Sequence, residues 1–121
     1  MIVAGFGFRS AATVDSLMDA FAIAGVKTVD AIATADDKSV SLVFETFART
    51  LGTPIISIAP SVLSNTDTAT HSLASQTHRA TGSVAEAAAL AAVGAGAKLL
   101  APRSISNDRM ATCAIAQGSK T

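Results

Sequence analysis

The sequence predicts a single-domain, three-layer α/β fold: a mostly parallel sheet of about five strands, helices on both faces, and a C-terminal hairpin. Three observations predict it. Short apolar runs alternate with stretches of helical periodicity, which implies parallel strands with helices packed on either side. Glycines stand where those helices should stop. The last two apolar runs are separated only by a short polar turn, so they read as hairpin partners.

Each element follows from its residues. "MIVAGFGF" (1–8) is an apolar run punctuated by glycines, a buried strand. In "SAATVDSLMDAFAIAG" (10–25), Val14, Leu17, Met18, Phe21 and Ala24 recur at helical spacing, and Gly25 is the stop. "VKTVDAIATA" (26–35) reads as the second strand and ends at polar "DDKS" (36–39). Val40, Val43, Phe44 and Phe47 share one face of a helix over 39–52, closed by Gly52. Pro54 introduces "IISIA" (55–59), the third strand. Residues 60–80 are rich in Ser, Thr and Ala and carry His71 and His78; they hold a short helix near 69–77 or form an excursion loop. An alanine-rich helix follows over 84–95. "KLLAP" (98–102) is the fourth strand, "RSISNDR" (103–109) a polar turn, and "MATCAIAQ" (110–117) the fifth strand. The domain is expected to end at 117, with 118–121 a loose tail.

Composition narrows the function. Half of the residues are hydrophobic, and Trp and Tyr are absent, so the core must be built from Ala, Val, Ile, Leu and five Phe. Nine basic residues balance nine acidic ones. No overall basic field for nucleic acid results, and no aromatics interleave with Arg for single-strand stacking. The lone Cys113 cannot pair within the chain, which suits a reducing compartment. The N-terminus lacks a basic n-region, and no apolar run reaches the roughly eighteen residues of a membrane span. The expectation is a cytoplasmic protein without membrane or nucleic-acid partners.

In this architecture each helix begins at the carboxyl edge of the preceding strand, where ligands usually bind. The stretch "TGSVAEAAAL" (81–90) places Ser83 as an N-cap and Glu86 three residues later, a capping box entered through Gly82. A helix start also offers free N–H groups and a positive dipole end to an anion. The two readings are compatible. "GFGFRS" (5–10) lacks the third glycine of a dinucleotide fingerprint, where Ser10 stands, and Asp36 and Asp37 replace a single ribose acid in a polar loop. Arg9 is the more informative residue, because a guanidinium at that edge can grip a carboxylate bidentately. Lys38 and Arg103 should share the edge, with Asp36, Asp37 and Asp108 making it mixed in sign. Lys27, Arg49 and Lys98 fall at or beyond helix C-termini, where the dipole favours cations. His71 and His78 without a third ligand do not make a metal set. Cys113, in an alternating strand, reads as a buried, inert thiol.

"VAGFGFRSAAT" and "TGSVAEAAALAAVGAGAKLLAPRSISNDRMATCAIA" resemble the CobE family and the C-terminal domain of CbiG, proteins of cobalamin (vitamin B12) biosynthesis. The carrying elements are Gly5, Gly7, Arg9 and Ala12 in the opening, the "GSVAEAAAL" helix start, and "TCAIA" from Thr112 to Ala116. The resemblance covers nearly the whole length, and CobE is the closer match. It implies a step in corrin-ring construction. CbiG proteins are associated with opening a δ-lactone on a cobalt-precorrin with loss of acetaldehyde. The additional N-terminal region of CbiG is expected to be absent here, so that activity is not carried over.

A precorrin is a large, flat macrocycle fringed with acetate and propionate groups, which calls for separated anion receptors around an apolar floor. The candidate receptor comprises Gly7, Arg9 and Ser10 after the first strand, Lys38 and Ser39 after the second, Thr81, Gly82 and Ser83 before the alanine helix, and Arg103, Ser104 and Thr112 in the C-terminal part. No cofactor is implied. The preferred function is binding or carrying a carboxylated precorrin or corrinoid. A lactone hydrolase is the enzymatic alternative, with Glu86 as the one candidate base and capping as its competing role. A structural subunit among cobalamin-pathway enzymes is the third, and self-association stays open.

Overall fold

Side-chain size divides the sheet into two unlike faces. The computed structural model describes residues 1–26, 28–39, 41–59, 84–94 and 97–118. In chain order these form β1 (Ile2–Phe8), α1 (Val14–Ala24), β2 (Ala31–Ala35), α2 (Asp36–Ser39), α3 (Leu42–Leu51), β3 (Ile55–Ile58), α4 (Val84–Val93), β4 (Lys98–Ile105) and β5 (Ala111–Gln117). The sheet order is β3-β2-β1-β5-β4. β1, β2 and β3 are parallel, β5 is antiparallel to β1, and β4 is antiparallel to β5. Four strands therefore point one way and β5 alone is reversed. The expected mostly parallel sheet with a C-terminal hairpin is the one observed. As a consequence, the ends of β1 and β4 and the start of β5 share one edge.

One face belongs to phenylalanine. Phe6, Phe21, Phe44 and Phe47 are buried there beneath α1 and α3, with Phe8 packed against them. The ring of Phe6 stands 5.0 Å from that of Phe47 and 5.8 Å from that of Phe44, both edge-on, which is the geometry aromatic quadrupoles prefer. Burying each such side chain stabilises the fold by roughly 1.5–3 kcal/mol.

The opposite face belongs to alanine and glycine. A Cβ at Gly5 would collide with the carbonyl oxygen of Ala85 and would come 2.5 Å from the backbone nitrogen and 2.9 Å from the Cβ of Ala89. The backbone of α4 thus lies directly on β1. Only small side chains allow that approach, which accounts for the alanine run. Residues 85–89 of α4 are all fully buried, so this half of the helix has no solvent face.

Several element bounds differ from expectation for local reasons. α1 starts at Val14, not residue 10, because Thr13 and Ser16 form the capping box, each side chain accepting the other's backbone N–H. Residues 9–12 turn instead, with Ala12 N–H donating to Arg9 O. β2 begins at Ala31 because its partner β1 begins at Ile2: Asp30 N–H donates to Ile2 O, and nothing earlier has a strand to pair with. The expected helix over 39–52 starts later, at Leu42, and the polar stretch 36–39 before it is itself a short helix. A four-residue turn of helix, α2, precedes extended Ser41, and α3 runs from Leu42 to a left-handed Gly52. α4 stops at Val93 before Gly94, at φ 90°. The proposed helix near 69–77, with His71 and His78, lies outside the described residues, as do 119–121.

Candidate functional site

The carboxyl edge is shaped by where β4 stops. The sequence suggests a polar turn over 103–109, yet β4 continues to Ile105, which pairs with Thr112. β5 supplies the backbone partners that polar side chains alone do not reveal. The ladder is irregular between Ala101 and Ser104, where Pro102 has no N–H to give. The neighbouring Arg103 N–H donates to Glu86 Oε2 at 2.9 Å, and Glu86 is fully buried. The acid in the alanine helix therefore holds the strand that carries Arg103. A charge-assisted bond of this kind is among the stronger ones in a fold. The expected cap partner, Ser83, lies outside the described residues.

The turn itself, residues 106–110, is tightly built. Ser106 is buried; its hydroxyl donates to Asp108 Oδ1 at 2.6 Å and accepts from Met110 and Ala111 N–H. The other Asp108 oxygen accepts from Ser16 Oγ at 2.6 Å, which fastens the turn to the first turn of α1. Asp19 of α1 accepts both the backbone N–H and the side-chain amide of Asn107. The hydrogen bonds from Ser106, Ser16 and the Met110 N–H hold the Asp108 carboxyl below its ordinary pKa. Arg9 N–H donates to Met110 O at 2.9 Å, which ties the end of β1 to the same turn.

These pieces border an open cavity of about 370 Å³ at the edge, lined by Gly7, Phe8, Arg9, Val84, Arg103, Ile105, Arg109, Met110, Ala111 and Thr112. Gly7, Thr112 and Ile105 stand side by side across β1, β5 and β4. Thr112 Oγ1 donates to Gly7 O at 3.2 Å. A Cβ on Gly7 would come 3.1 Å from that hydroxyl and 3.3 Å from Val84 Cβ, so the glycine leaves room at the floor. Three arginines border the cavity, and no acidic residue is among the described residues lining it. Of the acids expected at this edge, Asp108 is not among the described lining residues, and its carboxylate accepts from Ser16 and Ser106. A larger groove of about 550 Å³, lined in part by Glu45, Arg49 and Gly52, is open and carries both signs.

Of the expected receptor residues, the structure gathers Gly7, Arg9, Arg103 and Thr112. Ser10 is exposed in the turn before α1, away from any helix start and outside the lining. The Ser39 hydroxyl donates to Asp36 O within α2. Ser104 pairs with Cys113 and is not among the described residues lining this cavity. Lys38 falls in α2, and its side chain is outside the described set, as are Thr81, Gly82 and Ser83. Glu86 does not line the cavity. Burial keeps the Cys113 thiol protonated by pushing its pKa far up. Phe8, Val84, Ile105, Arg109, Met110 and Ala111 are the lining residues sequence reasoning missed, and Arg109 is the charged one among them. The expected hairpin held the signal, since a turn after a strand parallel to β1 must fall at the carboxyl edge.

Known proteins share this fold. A family model described as cobalamin synthesis G C-terminus matches residues 2–116. The crystal structure of CobE, a protein from the cobalamin (vitamin B12) biosynthetic pathway, is similar with a TM-score of 0.81 and 28% identity, over 96% of this chain and 89% of CobE. The cobalamin biosynthesis protein chiG from Agrobacterium tumefaciens str. C58 is similar with a TM-score of 0.76 and 36% identity, over 99% of this chain and 100% of its own. A search among curated proteins returned no match. Among the described residues no helix is long and apolar enough to cross a membrane. The sheet, its edge and a family match across nearly the whole length agree, and the chain belongs to the cobalamin synthesis G C-terminus family of cobalamin biosynthesis proteins.

Proposed function

We propose that this protein binds a carboxylated precorrin or corrinoid at the carboxyl edge and holds it between steps of corrin-ring construction. The observation that carries this reading is the cavity bordered by Arg9, Arg103 and Arg109, with no acid among the described residues of its lining. Guanidinium groups match carboxylates bidentately, and each charge-assisted hydrogen bond contributes roughly 1.5–3 kcal/mol. The floor of Gly7, Val84 and Ile105 is small and apolar, suited to the rim of a flat ring. A macrocycle is larger than 370 Å³, so the cavity takes one edge of it with the acid side chains on the arginines. A carrier needs no nucleophile, and the one cysteine is buried and protonated. Other enzymes of the pathway are the natural partners for delivery.

Titration with cobyrinic acid, a corrinoid whose peripheral side chains are free acids, tests this. Binding will shift its visible spectrum, Arg9→Ala and Arg103→Ala will weaken it, and added salt will weaken it further by screening. No spectral change at high micromolar protein contradicts the reading.

A further inference from the structure

We infer that Arg109 is a specificity-determining residue of this site, presented to a ligand carboxylate by a turn that holds it in a left-handed backbone conformation. The inference rests on the carboxylate-binding reading above and adds a residue that neither the sequence motifs nor the family resemblance singled out. Its first support is backbone geometry. Arg109 has φ 61°, and among the described residues it is the sole non-glycine with positive φ. Arg109 N–H closes the turn onto Ser106 O at 2.9 Å, and Ser106 N–H in turn donates to Ala111 O. In hairpin loops of this kind the left-handed position is usually glycine, because a Cβ there is unfavourable. An arginine at a position better suited to glycine calls for a reason in its side chain.

The second support is placement. Arg109 lines a cavity whose described lining holds three arginines and no acid. Arg9 and Arg103 come from two different strand ends, so the three charges approach the cavity from three separate backbone segments. The third support is preorganisation. Asp108 is bonded to Ser16, Ser106 and Met110 N–H, and Asn107 to Asp19, so the residues before Arg109 are fixed to α1. Met110 O accepts from Arg9 N–H, which couples the two arginines through backbone. An arginine whose backbone is fixed leaves less freedom to lose on binding than one on a loose loop. The resulting receptor prefers a ligand edge with clustered free acids over one with amides, since an amide brings no charge to three unopposed cations.

Two variants separate this role from folding. Arg109→Gly relieves the backbone strain, and Arg109→Asn keeps a residue that tolerates the left-handed region; both remove the guanidinium. Each is to be titrated with cobyrinic acid and with benzenehexacarboxylate, a small planar polyacid, alongside thermal unfolding. The expected result is binding at least about 10-fold weaker for both probes, with a Tm equal to or above that of the unaltered protein. Affinity unchanged in both variants overturns the inference while leaving the proposed function standing. Binding of benzenehexacarboxylate but not of cobyrinic acid by the unaltered protein removes the macrocycle reading, and the variants then still decide the role of Arg109. Binding of neither probe overturns both.

Discussion

The two faces of the sheet solve the same packing problem with opposite materials. On one face, Phe6, Phe21, Phe44 and Phe47 fill a thick layer under α1 and α3. On the other, Gly5 and the alanines of α4 bring helix backbone onto strand backbone. The thick layer is tolerant in shape and supplies most of the apolar burial. The thin layer fixes where α4 begins, and with it Val84 at the cavity and Glu86 against Arg103. Stability is concentrated on the first face and site geometry on the second.

The faces should therefore fail under opposite changes. Removing volume from the thick layer gives the largest effect: Phe47→Ala, at a fully buried position, is expected to cost about 3–5 kcal/mol by urea unfolding. Adding volume to the thin layer comes next. Gly5→Ala drives a methyl into the backbone of α4, which cannot give as a flexible side chain would, and is expected to cost about 1–3 kcal/mol. Gly7→Ala, two residues along the same strand, meets side-chain atoms at 3.1 and 3.3 Å that can shift, so its unfolding free energy should stay within about 1 kcal/mol of the parent. Corrinoid binding should nevertheless weaken, because the methyl enters the cavity floor. Equal stability losses for Gly5→Ala and Gly7→Ala would contradict the close approach of α4 to β1.

The smallest effect concerns pH. Hydrogen bonding lowers the folded-state pKa of Asp108 from its ordinary 3.8. Its stabilisation is fully present above the unfolded value and is lost as pH falls through the folded one. The stability difference between the parent and Asp108→Asn should be greatest above pH 5 and shrink toward acid, as read from urea midpoints across pH. A constant difference would mean the carboxylate charge is not what the turn uses.

What the sequence disclosed and what it withheld divide along the same physical line. Periodicity located the phenylalanine helices and the hairpin, because those signals repeat within a few residues. It did not locate the start of α1, since the cap is a Thr13–Ser16 pair without the usual Glu or Gln, three residues past the more conspicuous Ser10. β4 was cut short at Pro102 because the pairing that carries it to Ile105 comes from a distant strand. Arg9 and Arg103 were legible as edge residues from topology, and Thr112 from the family resemblance. Arg109 was not, since its placement depends on a backbone angle and on Asp108 reaching across to Ser16. Ser104 falls outside the described lining, and the ladder irregularity beside Pro102 that sets the local register has no signature in periodicity.

Amide chemical-shift mapping during titration with cobyrinic acid tests the central claim most directly. Perturbations should concentrate at Gly7, Arg9, Val84, Arg103, Arg109 and Thr112 and leave Glu45, Arg49 and Gly52 unmoved. Shifts centred on the groove beside Arg49, with the three-arginine edge silent, would contradict it.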